Sequence, residues 1–242
     1  MKILDSIPFE IDPQAVFARL HLDPNGQYAS EVHGLIDNAR RLARPRALYR
    51  PAVVQDKEPD AVIIAEAAPA SAARAPAARA RFASRALRIN LDEVDRVFPY
   101  VATCGRELDS IPLDPADIFG QFCRDTIKEM VLWAALAHLY DHLTDTYGLH
   151  RLASMNPGSG ELSVWPIEQQ RELFAFLGNV EEGIGVRLSD SCLMVPNKSV
   201  SGILYPSEDG FESCQLCHQE RCPERRAPFD PGLWTRTFGE AP

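Results

Sequence analysis

Three cysteines near the end of the sequence have a spacing that suits metal chemistry. Cys214 and Cys217 form a C-x2-C pair, and Cys222 follows within the same short segment. Two thiolates on one turn can bind a single ion or cluster, so the three predict an iron–sulfur cluster or zinc. The neighbouring arginines would favour the deprotonated thiols. The alternative is a set of reduced, partly exposed cysteines that bind nothing.

A second region with potential chemistry is the polar loop between apolar segments over residues 188–205. Its serines include Ser199 and Ser201, whose hydroxyls can donate and accept hydrogen bonds, and it ends at Tyr205. Pro196 and Gly202 restrict the backbone on either side of these serines. This arrangement predicts a compact polar loop between apolar segments.

The third region is the turn Met155-Asn156-Pro157-Gly158-Ser159-Gly160. Glycine has no side chain, so the backbone at a Pro-Gly turn can approach a ligand closely. We expect main-chain N–H and C=O groups there to be free to bind an adenine ring or a carboxylate. Asn156, Pro157, Gly158 and Ser159 are therefore candidate ligand-binding residues. The alternative is a Pro-Gly pair that only turns the chain.

These motifs carry a resemblance to a known family. The sequence S-C-L-M-V-P-N-K-S-V-S-G at 191–202 resembles the S-x-x-M-x-P-x-x-S-V-S-G run of the activation, S-adenosylmethionine (AdoMet)-binding domain of cobalamin-dependent methionine synthase. The resemblance covers about 97–205, including V-A-T-C-G-R-E-L-D, the Pro-Gly turn and W-P-I-E-Q-Q. It implies an α+β fold with a twisted, mainly antiparallel sheet and packed helices. The chain looks most like the stand-alone, single-domain relatives, here with a C-terminal cysteine triad.

The resemblance implies an accessory function in the reductive reactivation of a corrinoid methyltransferase. AdoMet would lie in a cleft lined by both the Pro-Gly turn and the S-V-S-G run, with its amino group near Asp125. The residues implied in AdoMet binding are Asp125, Asn156, Pro157, Gly158, Ser159, Ser199, Ser201 and Tyr205. Cobalt is the nucleophile in such a reaction, so no catalytic side chain is required, and whether the chain is itself an enzyme stays open.

The implied partners are a corrinoid protein or corrinoid methyltransferase, together with an electron donor. The sequence contains no D-x-H-x-x-G cobalamin-binding motif, so cobalamin would arrive only on a partner. The Walker and G-x-G-x-x-G nucleotide loops are also missing from the sequence.

Two positions depart from the family's R-x-x-P-G-Y loop. Ser154 stands where the family has Arg, and Ser159 replaces the Tyr. The Arg would pair with the AdoMet carboxylate and the Tyr would supply an aromatic surface. Arg151 lies nearby, at a different spacing. These departures keep a second function open: a metal- or iron–sulfur-binding or electron-transfer partner on the same scaffold that has lost AdoMet.

The apolar periodicity predicts the elements that must position these residues. The clearest is a helix over 114–147 that opens at Asp114-Pro115, long enough that we expect a bend or break. Helices are also predicted from Pro13 to about Leu22, over Ala29–Leu42, and over 167–177. Strands are predicted at the N-terminus, at 97–104, at V-R-L, and along S-V-S-G-I-L-Y. The segment 46–64 reads as a hairpin, L-R-I-N-L-D-E-V from Leu87 as a strand into a helix, and 66–80 as an irregular connection.

We divide the chain into three parts: a helical and hairpin part over 1–95, an activation-domain-like core over 96–206, and a Cys-rich tail over 207–242. The net charge of -9 argues against non-specific nucleic-acid binding. No apolar run approaches the roughly 20 residues that span a bilayer. The N-terminus lacks the apolar region of a signal peptide, so we expect a cytoplasmic protein whose thiols stay reduced.

Overall fold

The computed structural model describes residues 1–67, 78–161, 164–208, 210–222 and 225–239. The elements follow in the order β1 (Lys2–Leu4), α1 (Pro13–Leu20), α2 (Ala29–Leu42), β2 (Arg46–Tyr49), β3 (Ala52–Lys57), β4 (Ala61–Glu66), β5 (Arg79–Ala83), α3 (Arg85–Asn90), β6 (Arg96–Thr103), α4 (Ile118–Tyr147), β7 (Leu152–Met155), α5 (Gln170–Leu177), α6 (Val180–Ile184), β8 (Arg187–Leu188), β9 (Met194–Val195), β10 (Ser199–Pro206) and α7 (Pro231–Phe238). Short 3₁₀ segments occur at Glu107–Ser110, Ile167–Gln169 and Ser213–Leu216.

One antiparallel sheet organises the molecule, and β6 lies at its centre. On one side β6 pairs with β2 and β3, which continue to β1 and to β4 and β5 respectively. On its other side β6 pairs with β10, and β10 pairs in turn with the edge strand β7. A separate small hairpin joins β8 and β9. The predicted α+β class with a mainly antiparallel sheet is confirmed.

Helices cover both faces of this sheet, which explains why β6 is apolar on both sides. Successive side chains of a strand point to opposite faces. Phe98 and Tyr100 accordingly pack in the core formed with α1, α2 and α4. Val97 and Val101 pack in a second core with α3, α5 and α6. Each core is closed by apolar helix faces, so the central strand has no solvent-exposed face.

The long helix α4 differs from its prediction at its start and in its continuity. Asp114-Pro115 lies in a turn, and the helix begins later, where the Asp117 carboxylate accepts a hydrogen bond from the Gly120 N–H at 2.8 Å. The first turn thereby gains an acceptor for an otherwise unpaired N–H. Its 30 residues then run as one unbroken helix to the left-handed Gly148, so the predicted break does not occur, while the alternative of a bend stays a prediction.

Other predictions are confirmed or corrected by strand pairing. The 46–64 hairpin exists as β3 and β4, while β2 is a separate strand that pairs with β6. The predicted strand at Leu87 is wrong, because that residue lies within α3 behind an N-cap at Ser84. Of the predicted irregular connection over 66–80, residues 68–77 lie outside the described part, and its end is the strand β5. Within the described ranges, no helix is long and apolar enough to cross a membrane.

A buried lysine connects α4 to the segments around it. The Lys128 side chain is 3% exposed, and its Nζ donates to Asp109 Oδ1 at 2.6 Å and to Asn197 Oδ1 at 2.8 Å. Asp109 belongs to the 3₁₀ segment after β6, and Asn197 lies just before β10. A single ammonium group therefore holds one end of the β6–β10 pair, where Thr103 lies opposite Ser199, against the helix.

We predict that Lys128→Met destabilises the fold by about 1–3 kcal/mol, because it keeps the apolar stem but leaves two polar partners without their charged donor. Urea unfolding followed by circular dichroism measures this change. Arg81→Met is the matched control, since its pair with Glu58 at 2.5 Å is far more exposed and solvent screens it. Equal losses of stability in the two variants would contradict the role given to Lys128.

Candidate ligand-binding site

A cavity of about 580 Å³ lies between α4, the β7–β10 edge of the sheet and the C-terminal segment. Its walls combine aromatic and aliphatic side chains with a few polar groups, as small-molecule sites generally do. The lining residues are Tyr100, Trp133, Leu136, Ala137, Tyr140, Arg151, Leu152, Ala153, Ser154, Asn156, Pro157, Gly158, Ser159, Met194, Val200, Ser201, Gly210, Phe211, Glu212 and Arg226. The Pro-Gly turn and the S-V-S-G strand thus meet in one cleft, as the sequence predicts.

A hydrogen-bonded network forms the polar part of this cleft. The Asn156 amide Nδ2 donates to the Tyr100 hydroxyl at 2.9 Å and to the Ser201 carbonyl at 2.8 Å. The Ser154 hydroxyl lies 3.1 Å from the Tyr100 hydroxyl and donates to Asn156 Oδ1 at 3.2 Å. Burial raises the pKa of Tyr100, so its hydroxyl stays protonated across the physiological range. The network fixes Asn156 at the position between the end of β7 and the Pro-Gly turn.

Gly202 of the S-V-S-G run has a packing role. A Cβ on Gly202 would lie 2.4 Å from Asn156 Nδ2 and 2.4 Å from the Met155 carbonyl oxygen. Only a residue without a side chain allows β10 to pass this close to the end of β7. The glycine thereby makes possible the hydrogen bond between the Asn156 amide and the neighbouring Ser201 carbonyl.

The Pro-Gly turn is built differently from its prediction. Gly158 has φ +78°, a left-handed conformation that favours glycine, and a Cβ there would meet Ile167 at 2.9 Å. Its N–H donates to the Trp165 carbonyl at 2.8 Å, and the Ser159 N–H donates to the Asn156 carbonyl at 3.1 Å. The expectation that these two N–H groups are free for a ligand is wrong, because both hold the turn in shape.

The two predicted serines of β10 are bound within the protein. Ser201 Oγ donates to Gln170 Oε1 at 3.0 Å, and Gln170 in turn donates to the Cys192 carbonyl at 3.1 Å. Ser199 Oγ contacts Thr103 Oγ1 and donates to the Pro196 carbonyl, each at 2.9 Å. Ser201 lines the cavity, whereas Ser199 is not among its lining residues. Both hydroxyls therefore hold the loop that precedes β10, Ser199 directly and Ser201 through Gln170.

Asp125 and Tyr205 lie outside the cavity wall. Asp125 Oδ1 is 3.8 Å from Lys128 Nζ, and its other oxygen is 3.5 Å from Asn197 Nδ2, so it belongs to the lysine cluster. Tyr205 is buried in the second core, where burial raises its pKa. Its hydroxyl has no hydrogen-bond partner among the described residues. Their role in AdoMet binding stays a prediction.

The charged groups of the cavity come largely from the C-terminal segment. Two of them, Arg226 and Glu212, were not predicted from the sequence as site residues. Arg226 and Glu212 line the cavity and form an ion pair at 3.1 Å. Arg151, which the sequence offered as a substitute for the missing family arginine, also lines it and packs against Gly210. The sequence signal for Arg226 was only its place in a basic run beside the cysteines.

The three tail cysteines line a second cavity of about 820 Å³ that adjoins the first. The two cavities share Trp133, Gly158, Ser159 and Arg226. Cys214 Sγ accepts a long hydrogen bond from the Arg226 N–H at 3.5 Å. No cluster of three or more His, Cys, Asp or Glu side chains in the described ranges is arranged to hold a metal ion. The donors of the predicted metal centre do not converge here.

One arginine organises this cysteine segment through the backbone. The Arg225 guanidinium donates to the carbonyls of Cys214, Ala227, Cys217 and Gln219 at 2.8–3.1 Å. His218 adds a ring contact with Trp234 of α7, at 4.4 Å between centroids. Arg225, expected to stabilise thiolates, instead fixes the path of the chain that carries Arg226.

Comparison with known proteins supports the fold. No protein-family model and no curated protein matches the sequence. Among solved structures, the chain is similar to one described as the "Crystal Structure of the MetH Reactivation Domain bound to AdoHcy". The match has a TM-score of 0.52 and 14% identity, and it covers 88% of this chain and 80% of the other.

The chain has the fold of the MetH reactivation domain. This confirms the fold that the S-V-S-G and Pro-Gly motifs implied. The likeness to the MetH reactivation domain rests on architecture, because so low an identity leaves the side chains of the site to be judged on their own geometry. In this chain that geometry consists of the Asn156 network, the aromatic wall of α4 and the charged tail residues.

We predict that Gly202→Ala destabilises the protein by about 1–3 kcal/mol, because the added methyl group forces β10 away from Asn156. Gly34→Ala is the matched control: a Cβ on this exposed helical glycine meets nothing within 4 Å, so the change should stabilise α2 slightly. Thermal unfolding of both variants measures the difference. A neutral or stabilising effect at Gly202 would show that the close strand approach is not a constraint.

We also predict that the thiols divide into two classes. Cys104, Cys123 and Cys192 are buried, whereas Cys214, Cys217 and Cys222 are half-buried at the cavity. Burial raises the pKa of Cys104 to about 12 and that of Cys123 to about 11, so these thiols stay protonated and unreactive in mildly alkaline buffer.

A chromogenic disulfide reagent should therefore modify the three tail thiols rapidly in the native protein and all six cysteines after denaturation. Cys217→Ser should remove one rapid equivalent and leave the slow class unchanged. A single slow phase for all six thiols would contradict the placement of the tail at the cavity surface.

Proposed function

We propose that this chain binds AdoMet in the cavity beside α4 and supports the reductive methylation of a corrinoid carried by a partner protein. The observation that carries the proposal is the meeting of the Pro-Gly turn and the S-V-S-G strand in one cavity of a reactivation-domain fold. The similar solved structure is described as bound to AdoHcy, the product that AdoMet leaves after giving up its methyl group.

The cavity supplies the surfaces that a nucleoside thioether requires. Trp133 and Tyr140 of α4 offer aromatic faces for a flat base, and Phe211 adds a third ring from the tail. The Asn156 and Tyr100 network supplies polar groups in fixed positions. Its volume of about 580 Å³ lies within the usual range of small-molecule sites.

The proposed chemistry needs positioning more than it needs acid or base groups. One electron reduces cob(II)alamin to cob(I)alamin, whose cobalt lone pair attacks the AdoMet methyl carbon as the carbon–sulfur bond breaks. The products are methylcob(III)alamin and AdoHcy. The chain's contribution would be to hold AdoMet with its methyl group directed toward the docked corrinoid, since correct orientation lowers the barrier of a displacement reaction.

The partner would be a corrinoid protein or corrinoid methyltransferase, with a separate electron donor. The support for this is the fold itself together with the lack of a cobalamin motif in the sequence. Titanium(III) citrate as reductant, cob(II)alamin and methyl-labelled AdoMet provide an assay that needs no identified partner. Chain-dependent transfer of label to cobalt supports the proposal, and transfer at the uncatalysed rate counts against it.

The alternative is a metal- or cluster-binding electron-transfer partner on the same scaffold. Cys214, Cys217 and Cys222 share one cavity, but within the described ranges they form no metal-binding set. Anaerobic reconstitution with iron and sulfide, with Cys217→Ser as the control, tests this alternative. A cluster bound by the wild type and lost from the variant would favour this alternative over AdoMet binding.

We predict saturable binding of AdoMet and AdoHcy by isothermal titration calorimetry, with dissociation constants below about 1 mM. Ala137→Trp should weaken both by at least about tenfold, because Ala137 is an exposed helical residue on the cavity wall and a large ring there fills the cleft. His138→Trp is the control, since the next residue of the helix does not line the cavity. The lack of any heat for the wild type at millimolar ligand would overturn the proposed AdoMet binding.

A further inference from the structure

We infer that the ion pair of Arg226 and Glu212 is the receptor for the α-amino acid end of the ligand, so that the C-terminal segment sets specificity for adenosyl amino acids over plain nucleosides. The inference rests on the proposed function. It assigns the recognition of the ligand's zwitterionic end to two residues that lie after the activation-domain-like part of the sequence.

The first support is the charge pattern of the cavity wall. Ser154 and Ser159 bring hydroxyls where a charged or aromatic residue would recognise the ligand in the family that the sequence resembles. The side chains of Arg226, Glu212 and Arg151 are the charged groups that line this cavity within the described ranges. Two guanidinium groups and one carboxylate give the wall a net positive charge, which favours a ligand carboxylate.

The second support is the geometry and exposure of the pair. Arg226 Nη2 lies 3.1 Å from Glu212 Oε2, and the two side chains are 56% and 37% exposed. A pair this accessible to water contributes little to folding, so a ligand carboxylate can take the place of Glu212 at Arg226 at little cost. The Glu212 carboxylate itself is kept in position, because it also accepts a hydrogen bond from the Gln215 N–H in a capping box. The planar guanidinium suits a carboxylate, and the adjacent carboxylate suits the ammonium group on the same α-carbon.

The third support is that Arg226 is held in place. The neighbouring Arg225 binds backbone carbonyls on both sides of it, and the Arg226 N–H itself donates to Cys214 Sγ. A preorganised backbone reduces the entropy that is lost when the side chain orders around a ligand. Arg226 also lines both adjoining cavities beside Trp133, which places its charge at the junction between them.

The test compares AdoHcy with methylthioadenosine, which keeps the nucleoside and thioether but lacks the amino acid. Calorimetry is performed with the full chain, Arg226→Gln, Glu212→Gln and the control Arg221→Gln, an exposed tail arginine outside the described cavities. We expect Arg226→Gln to weaken AdoHcy about tenfold or more, as loss of a charged hydrogen bond requires. The affinity of Arg226→Gln for methylthioadenosine should equal that of the wild type. Glu212→Gln should likewise lose affinity for AdoHcy and keep its affinity for methylthioadenosine, and Arg221→Gln should bind both ligands as the wild type does.

Two outcomes overturn the inference while leaving the proposed function standing: wild-type affinity for AdoHcy in both cavity variants, or an equal loss of affinity for AdoHcy and methylthioadenosine. The second would mean that the pair only closes the cavity. Failure of wild-type protein to bind either AdoHcy or AdoMet overturns the proposed function, and the inference with it. Circular dichroism melting of each variant separates lost contacts from lost folding.

Discussion

The close approach of β10 to the end of β7 is the constraint on which the cavity depends. At this point Gly202 leaves room for the amide of Asn156, the residue that follows β7. This amide donates to the Ser201 carbonyl in β10 and to the Tyr100 hydroxyl in β6. With Asn156 fixed, the chain must leave β7 through the Pro-Gly turn, whose N–H groups then bind Trp165 and Asn156. The turn and the polar wall of the cavity therefore depend on the missing side chain of Gly202.

The sequence predicted the parts of the fold that have strong apolar periodicity. The buried strand at 97–104 and the long helix are of this kind, since the spacing of their apolar residues alone indicates which side chains are buried. The strand β7 was missed because it is short and pairs with the distant β10, and β5 was missed because it is short and ends a segment rich in Ala, Pro and Arg. The helix start was misplaced because both Asp114 and Asp117 precede a plausible first turn, and only tertiary packing selects Asp117.

For the site, the motifs predicted a meeting of two distant segments but not the direction of each side chain. Along β10 alternate residues face opposite cores, so Tyr205 lies on the side of the sheet away from α4, with Ile203. Asp125 turned toward Lys128, a buried cation whose position no local pattern reveals. Arg226 and Glu212 could not be assigned from the sequence, because they reach the cavity only through the folding of the tail.

Arg225 links separate points of the tail backbone through its hydrogen bonds. One guanidinium donates to the carbonyls of Cys214, Cys217, Gln219 and Ala227, so all four carbonyls lose this donor together if it departs. We expect such a segment to open as one cooperative unit, because one side chain holds several separate points of its backbone. Because Glu212 and Arg226 of this segment line the cavity, opening of the tail would remove one wall of the cavity in the same step.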